Sequence, residues 1–216
     1  IELNAYNTAR KGGLIALDLN EGDELAWVKM TDGDDDVIIA TRLGMAIRFN
    51  ENTVRTMGRG ATGVKAMAID QAEDEIVGMV CVENPEKQTV LVVSEQGFGK
   101  RSSVEDYRIT NRGGKGVKTL NVTEKVGELV AIKCVTDEDD LMIINKSGIT
   151  IRLKLSTVSV QGRVTQGVRL INLTKRNDVI SNVCIVPTEE DKVETEEGVE
   201  LVQDVVVEQE TTETET

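Results

Sequence analysis

The sequence predicts an all-β fold, a propeller-like fragment of about three to four four-stranded blades built on ~51-residue repeats. Three observations predict it. Glycines recur in two registers with one period, apolar residues alternate with polar ones inside each period, and the breaks are rich in Gly and Asp. The first register is a turn. Gly44, Gly97 and Gly148 each stand four residues before a base, Arg48, Arg101 and Arg152, at spacings of 53 and 51 residues. The second register opens a short run. Gly13, Gly63, Gly116 and Gly167 precede LIALDL, VKAMAI, VKTLNV and VRLINL, at spacings of 50, 53 and 51 residues. Arg59, Arg112 and Arg163 lie four residues ahead of the last three of these glycines.

Each opening run reads as a strand, because its side chains alternate in character. A second alternating segment follows at residues 24–30, 75–82 and 128–135. The third is rich in β-branched residues: VIIAT at 37–41, TVLVVS at 89–94 and LMIIN at 141–145. A glycine turn then leads to a short basic strand, MAIRF, FGKRS or ITIRL. These four strands are expected to form one blade, with long links such as 102–115 joining neighbours. A blade cannot bury both faces alone, so it must stack. With about three periods and half-blades at 1–12 and 167–187, the chain is too short to close a ring. Its first edge is therefore expected to be unpaired or completed by an upstream part, and the start at Ile1 without Met reads as a fragment. Trp27 is expected in the core.

Composition narrows the function. Aromatics are only 2% of 216 residues, so the core must come from Val, Ile, Leu, Ala and Met. There is no His, which excludes Ser–His–Asp and Cys–His catalysis, His-ligated zinc and haem. Cys81, Cys134 and Cys184 form no CxxC pair and stand where the first repeat has Met30, which marks core fillers in a reducing cytoplasm. The longest apolar run, Ile76–Val82, has seven residues, far short of the ~20 needed to cross a bilayer. No signal peptide opens the chain. Residues 32–36, DGDDD, lack the order and the distal Glu of a calcium loop and read as a hairpin turn.

The net charge of −13 divides unevenly: residues 188–216 hold twelve acids and one base, and residues 1–187 hold 26 acids and 24 bases. The first part is an acidic tail expected to be disordered; the second is a near-neutral body. Within the body the charge has a phase. Windows 42–65, 97–118 and 146–169 contain sixteen of the 24 bases and three of the 26 acids. In a radial array, equivalent positions share one rim, so these bases are expected to form one stripe. A stripe of Arg and Lys on a curved edge is the footprint of a polyanion, with duplex DNA the first candidate. The scarcity of aromatics argues against stacking on single strands. Regular backbone contacts suggest bending without base readout. In RGGKG at 112–116, small residues let the backbone approach phosphates between two bases.

These residues resemble a known family. The GxxxR turns, the R-x-x-x-G-V-[KR] links, TDGDDDVIIATRLGMAIRF, EQGFGKR and RVTQGVRLI are similar to the C-terminal domain of the DNA gyrase A protein, part of a type IIA topoisomerase. The match runs across residues 1–187; the tail matches only in character. The resemblance implies a β-pinwheel, whose blades exchange a strand, and a basic rim that wraps double-stranded DNA with positive handedness. In the holoenzyme, with the rest of the gyrase A protein, the gyrase B protein, ATP and Mg2+, this serves negative supercoiling in the bacterial cytoplasm, at the nucleoid. The fragment itself is expected to need no cofactor and to carry no catalytic residue. On the matching motifs, Arg48, Lys100, Arg101 and Arg152 on the basic strands, with Arg59, Arg112, Lys115 and Arg163 on the links, are expected to contact phosphates. The family's box, Gln-Arg-Arg-Gly-Gly-Arg/Lys-Gly, is expected upstream of Ile1, since residues 110–116 lack its Gln and first Arg. Its cleavage tyrosine belongs to another domain, and Tyr6 and Tyr107 are read as packing or hydrogen-bonding groups. Two other readings stay open: the equivalent domain of topoisomerase IV, and a propeller adaptor that binds protein. The tail, in addition, is expected to compete with DNA for the rim.

Overall fold

The computed structural model describes residues 1–9, 11–173 and 178–187. The tail expected from 188 onward lies outside the described residues.

A glycine turn closes each of three hairpins. Gly44, Gly97 and Gly148 have φ of 81°, 81° and 86°, the left-handed region where side chains with a Cβ are strained. The hairpins are β1 (Asp36–Thr41) with β2 (Met45–Asn50), β4 (Thr89–Ser94) with β5 (Phe98–Ser103), and β8 (Asp139–Asn145) with β9 (Thr150–Lys154). Each basic strand is thus the second arm of a hairpin.

The hairpins recruit their outer strands from later repeats. β3 (Ile76–Val82) pairs with β1, β7 (Leu129–Val135) with β4, and β11 (Ile180–Pro187) with β8. All three pairings carry a register shift at the equivalent place, beside Thr41, Ser94 and Asn145. On the other edge, the two-residue strands β6 (Val117–Lys118) and β10 (Val168–Arg169) pair with β2 and β5. The sheets are therefore β3-β1-β2-β6, β10-β5-β4-β7 and β11-β8-β9. This corrects the expectation that one period makes one blade: each four-stranded blade draws on three successive repeats. Alternation fixes which face a side chain takes but is silent about which edge its strand will meet. The strand exchange is that of a β-pinwheel.

The strands of the first two hairpins are buried on both faces, whereas β9 of the third is not. Ile38 and Ala40 face the second blade, packing with Val90, Val92, Leu129 and Tyr107, and Val37 and Ile39 face the other way with Phe49 and Met67. Leu91 and Val93 then meet Leu141, Ile143 and Leu155 of the third blade. Fully burying a side chain such as Ile38 or Leu91 contributes about 1.5–3 kcal/mol.

The first repeat differs. The expected strands at 14–19 and 24–30 form no ladder. Ile15, Val28 and Met30 are exposed, and Trp27, expected in the core, is 38% exposed. In later repeats the second segment pairs with the preceding hairpin, and no such hairpin occurs among the described residues.

Candidate nucleic-acid interface

Two of the three GxxxR arginines, Arg48 and Arg101, do not lie on the surface as expected. Arg48 is buried, with Nε and Nη2 donating to Asp36 Oδ2 at 2.8 and 2.5 Å. Its Nη1 donates to the carbonyls of Val104 and Tyr107, at 2.8 and 3.2 Å, in the link that follows the second hairpin. Arg101 repeats the arrangement one blade on. It too is buried, and its Nε donates 2.8 Å to the carbonyl of Val158 in the link after the third hairpin. Thr89 stands where the first blade has Asp36, so the Arg101 counter-ion is Asp137, in the turn before β8. Each arginine hooks the next link to its own hairpin. Arg152 pairs with Asp140 at 2.6 Å, but its side chain stays 57% exposed.

Lys100 is also interior, fully buried, with Nζ donating to Ser102 Oγ at 3.1 Å and to the carbonyls of Gly162 and Arg163 at 2.7 and 2.6 Å. Desolvation, with the Arg163 charge second, lowers its pKa to about 8. Arg48, Lys100 and Arg101 are therefore corrected from expected phosphate contacts to internal struts. These three side chains are buried and turned onto carbonyls, hydroxyls and carboxylates of the chain, out of reach of a ligand on the surface.

The link bases form a surface. Arg59, Arg112 and Arg163 are half-buried, and each reaches one equivalent carbonyl in the preceding opening run: Ile15 at 3.0 Å, Lys65 at 3.2 Å and Lys118 at 2.6 Å. Arg163 also lies over the Tyr107 ring, 5.9 Å from its centroid. Lys115 is exposed and pairs with Asp70 at 2.6 Å, a surface contact of the kind worth at most about 1 kcal/mol. Of the RGGKG string, the Gly113 N–H donates 2.6 Å to the Ala66 carbonyl, so that part of the backbone holds the neighbouring run.

Successive links are stitched together at one repeating point. The N–H groups of Asp18, Ala68 and Asn121 donate to the carbonyls of Ala61, Gly114 and Thr165, at 3.4, 2.9 and 3.2 Å. Each donor lies five residues after an opening glycine, and each acceptor lies in the following link. The links therefore run side by side along one edge. Lys65, Lys118 and Arg169 occupy equivalent positions on it, are exposed, and make no ion pair among the described residues. Arg55 and Arg108 are a second equivalent, exposed pair. Site assignment by the GxxxR register misses these five, although the G-V-[KR] string contains the first three.

Gly116 and Gly167 bring the links to the hairpins. Their φ values are 77° and 79°, and a Cβ on them would stand 2.2 Å from the Ala46 carbonyl oxygen and 2.5 Å from that of Gly99. Only glycine fits that backbone.

The Cys134 thiol is pushed up to about 12, chiefly by burial, which suits packing and opposes reactivity. Tyr107 is fully buried with its hydroxyl against Thr119 Oγ1. One grouping of carboxylates, Asp32, Asp35 and Glu51, lies close together. Glu51 caps the turn, accepting from the N–H groups of Gly33 and Asp35 at 2.9 and 2.8 Å, and burial with the neighbouring charges raises the Asp35 pKa.

Comparison with known proteins agrees with this architecture. A family described as "DNA gyrase C-terminal domain, beta-propeller" matches residues 1–32, 35–83, 88–136 and 139–186. The chain is 41% identical over 216 residues to the DNA gyrase A protein of Staphylococcus aureus (strain MRSA252), covering 97% of this chain and 24% of that protein. To the same protein of strain NCTC 8325 / PS 47 it is 42% identical over 219 residues, with the same coverage. It thus spans about a quarter of the length of the curated relatives it matches. A solved DNA gyrase A C-terminal domain superposes with a TM-score of 0.70 at 28% identity, over 80% of this chain and 58% of that one. The C-terminal domain of DNA topoisomerase IV superposes at 0.79 with 23% identity, over 86% and 57%, a likeness of fold alone.

Proposed function

The chain belongs to the DNA gyrase C-terminal domain, beta-propeller family, and from that premise we propose that its stitched links bind duplex DNA by its phosphates and bend it around the blades. The observation that carries this is the repeated inter-link hydrogen bond, which sets Lys65, Lys118 and Arg169 in line on one edge with Arg55, Arg59, Arg108, Arg112, Lys115 and Arg163 beside them. A curved row of cations with no base-reading constellation attracts any sequence, through counterion release. Arg48, Lys100 and Arg101 serve by holding the links that carry these bases.

In this reading the domain belongs to a type II topoisomerase whose remaining parts supply strand cleavage and ATP hydrolysis, with Mg2+, and wrapping serves negative supercoiling. The partners are double-stranded DNA, the rest of the gyrase A protein and the gyrase B protein, in a bacterial cell at the nucleoid. No helix among the described residues is long and apolar enough to cross a membrane.

The test is binding to duplex DNA across a salt series. Reversing Lys65, Lys118 and Arg169 to Glu removes three phosphate contacts and should lower the slope of log affinity against log salt by about 3. An unchanged slope would remove the links from the interface.

A further inference from the structure

We infer that Ile109 and Val160 are wedges that press between base pairs from the minor groove and so localise the bend in the duplex. This rests on the reading of the links as the DNA-binding edge. The two residues occupy equivalent positions, 51 apart. They are 58% and 54% exposed, although each lies two residues after a buried side chain, Tyr107 or Val158. Single exposed aliphatics are ordinary on a soluble protein. These two are repeated, and the backbone at each is tied to a hairpin arginine.

Their backbones are among the most firmly held in the links. Ile109 forms a parallel bridge with Arg48, and Val160 one with Arg101. The Thr110 N–H donates 2.9 Å to the Arg48 carbonyl, and the Gln161 N–H donates 2.7 Å to that of Arg101. The buried guanidiniums of those same arginines hold the turn just ahead, through Val104, Tyr107 and Val158. The first two blades thus each use a buried cation and a backbone bridge to fix a residue whose side chain is exposed.

The surroundings select the partner. Arg108 and Arg112 flank Ile109, and Arg163 stands three residues after Val160, so an apolar protein surface would have to meet a row of cations. DNA meets both demands: its phosphates take the bases while an unstacked step takes the aliphatic tip, and the unstacking bends the duplex towards the major groove. Pyrimidine–purine steps open at least cost, so this mode adds a preference for TA and CA steps without hydrogen-bond readout.

The experiment uses the full chain and an end-labelled duplex several helical turns long with TA steps at intervals. Permanganate oxidation reports unstacked thymines, energy transfer between the duplex ends reports bending, and a salt series reports phosphate contacts. The wild type should make thymines at TA steps reactive and bring the duplex ends together. Ile109→Ser with Val160→Ser should keep the salt slope but return thymine reactivity to that of free duplex, with a loss of energy transfer. Ile109→Leu with Val160→Leu should keep both signals, which separates an apolar wedge from a merely intact link. Salt-dependent binding with no reactive thymines, or reactivity and bending that survive the serine pair, overturns the wedges and leaves the DNA reading standing. Absence of salt-dependent binding by the wild type overturns the DNA reading itself.

Discussion

At the residue scale, two cations of the same basic phase can have opposite jobs. Arg48 is inside an ion pair with Asp36, whereas Lys118 is open to solvent. Removing a buried partner leaves an uncompensated charge, so Arg48→Met should cost about 3–5 kcal/mol of stability in denaturant unfolding. The double change Arg48→Met with Asp36→Leu should recover part of that, because no lone carboxylate then remains. Lys118→Glu should do the reverse, with unfolding unchanged and DNA affinity reduced. Lys100 predicts a pH dependence. Its folded pKa, about 8, lies below its ordinary value of 10.5, so between these values the unfolded chain binds more protons. The Lys100 contribution therefore rises with pH across that window and is flat below it. Melting the wild type and Lys100→Met from pH 7 to 10.5 should show the wild type gaining on the variant as pH increases.

At the level of elements, the link is the decisive unit. Four features recur in it: an arginine to the carbonyl two residues after the preceding opening glycine, an N–H stitch, a glycine at positive φ, and a two-residue strand on the hairpin edge. Gly116→Ala sets a methyl group against the Ala46 carbonyl and forces a strained φ, so it should destabilise by more than about 1 kcal/mol. Hydrogen exchange would localise the damage, with protection lost at Val117, Lys118 and the β2 edge and retained in β4 and β5.

Across the whole molecule, stacking rather than sheet formation makes the array. The middle hairpin buries one face on the blade before it and the other on the blade after it, and the hook arginines and links cross the same junctions. Binding along such an edge is a property of several blades together. The three link bases reversed above belong to different repeats, and each should lower the salt slope by about one.

The sequence by itself determined the period, the hairpins and second segments of the later repeats, the glycine turns and the phase of the positive charge, although the opening run at 64–69 forms no strand and those at 117–122 and 168–173 form only two-residue ones. All of these follow from local rules: alternation for strands, positive φ for Gly44 or Gly116, and spacing for the repeat. Tyr107 as a packing and hydrogen-bonding group was legible too; Cys81 and Cys134 only flank the core, and Met30, their counterpart in the first repeat, is exposed. Only the tertiary structure decided which strands share a sheet, and which bases face solvent. Arg48 and Arg112 look alike along the chain, but the depth of a side chain depends on the neighbour that crosses it. For Arg48 that neighbour is a link more than fifty residues away, whose carbonyls accept from its Nη1. For residues 24–30 the pattern of a strand was present but the described residues offer no partner, and a ladder needs an edge as well as a sequence.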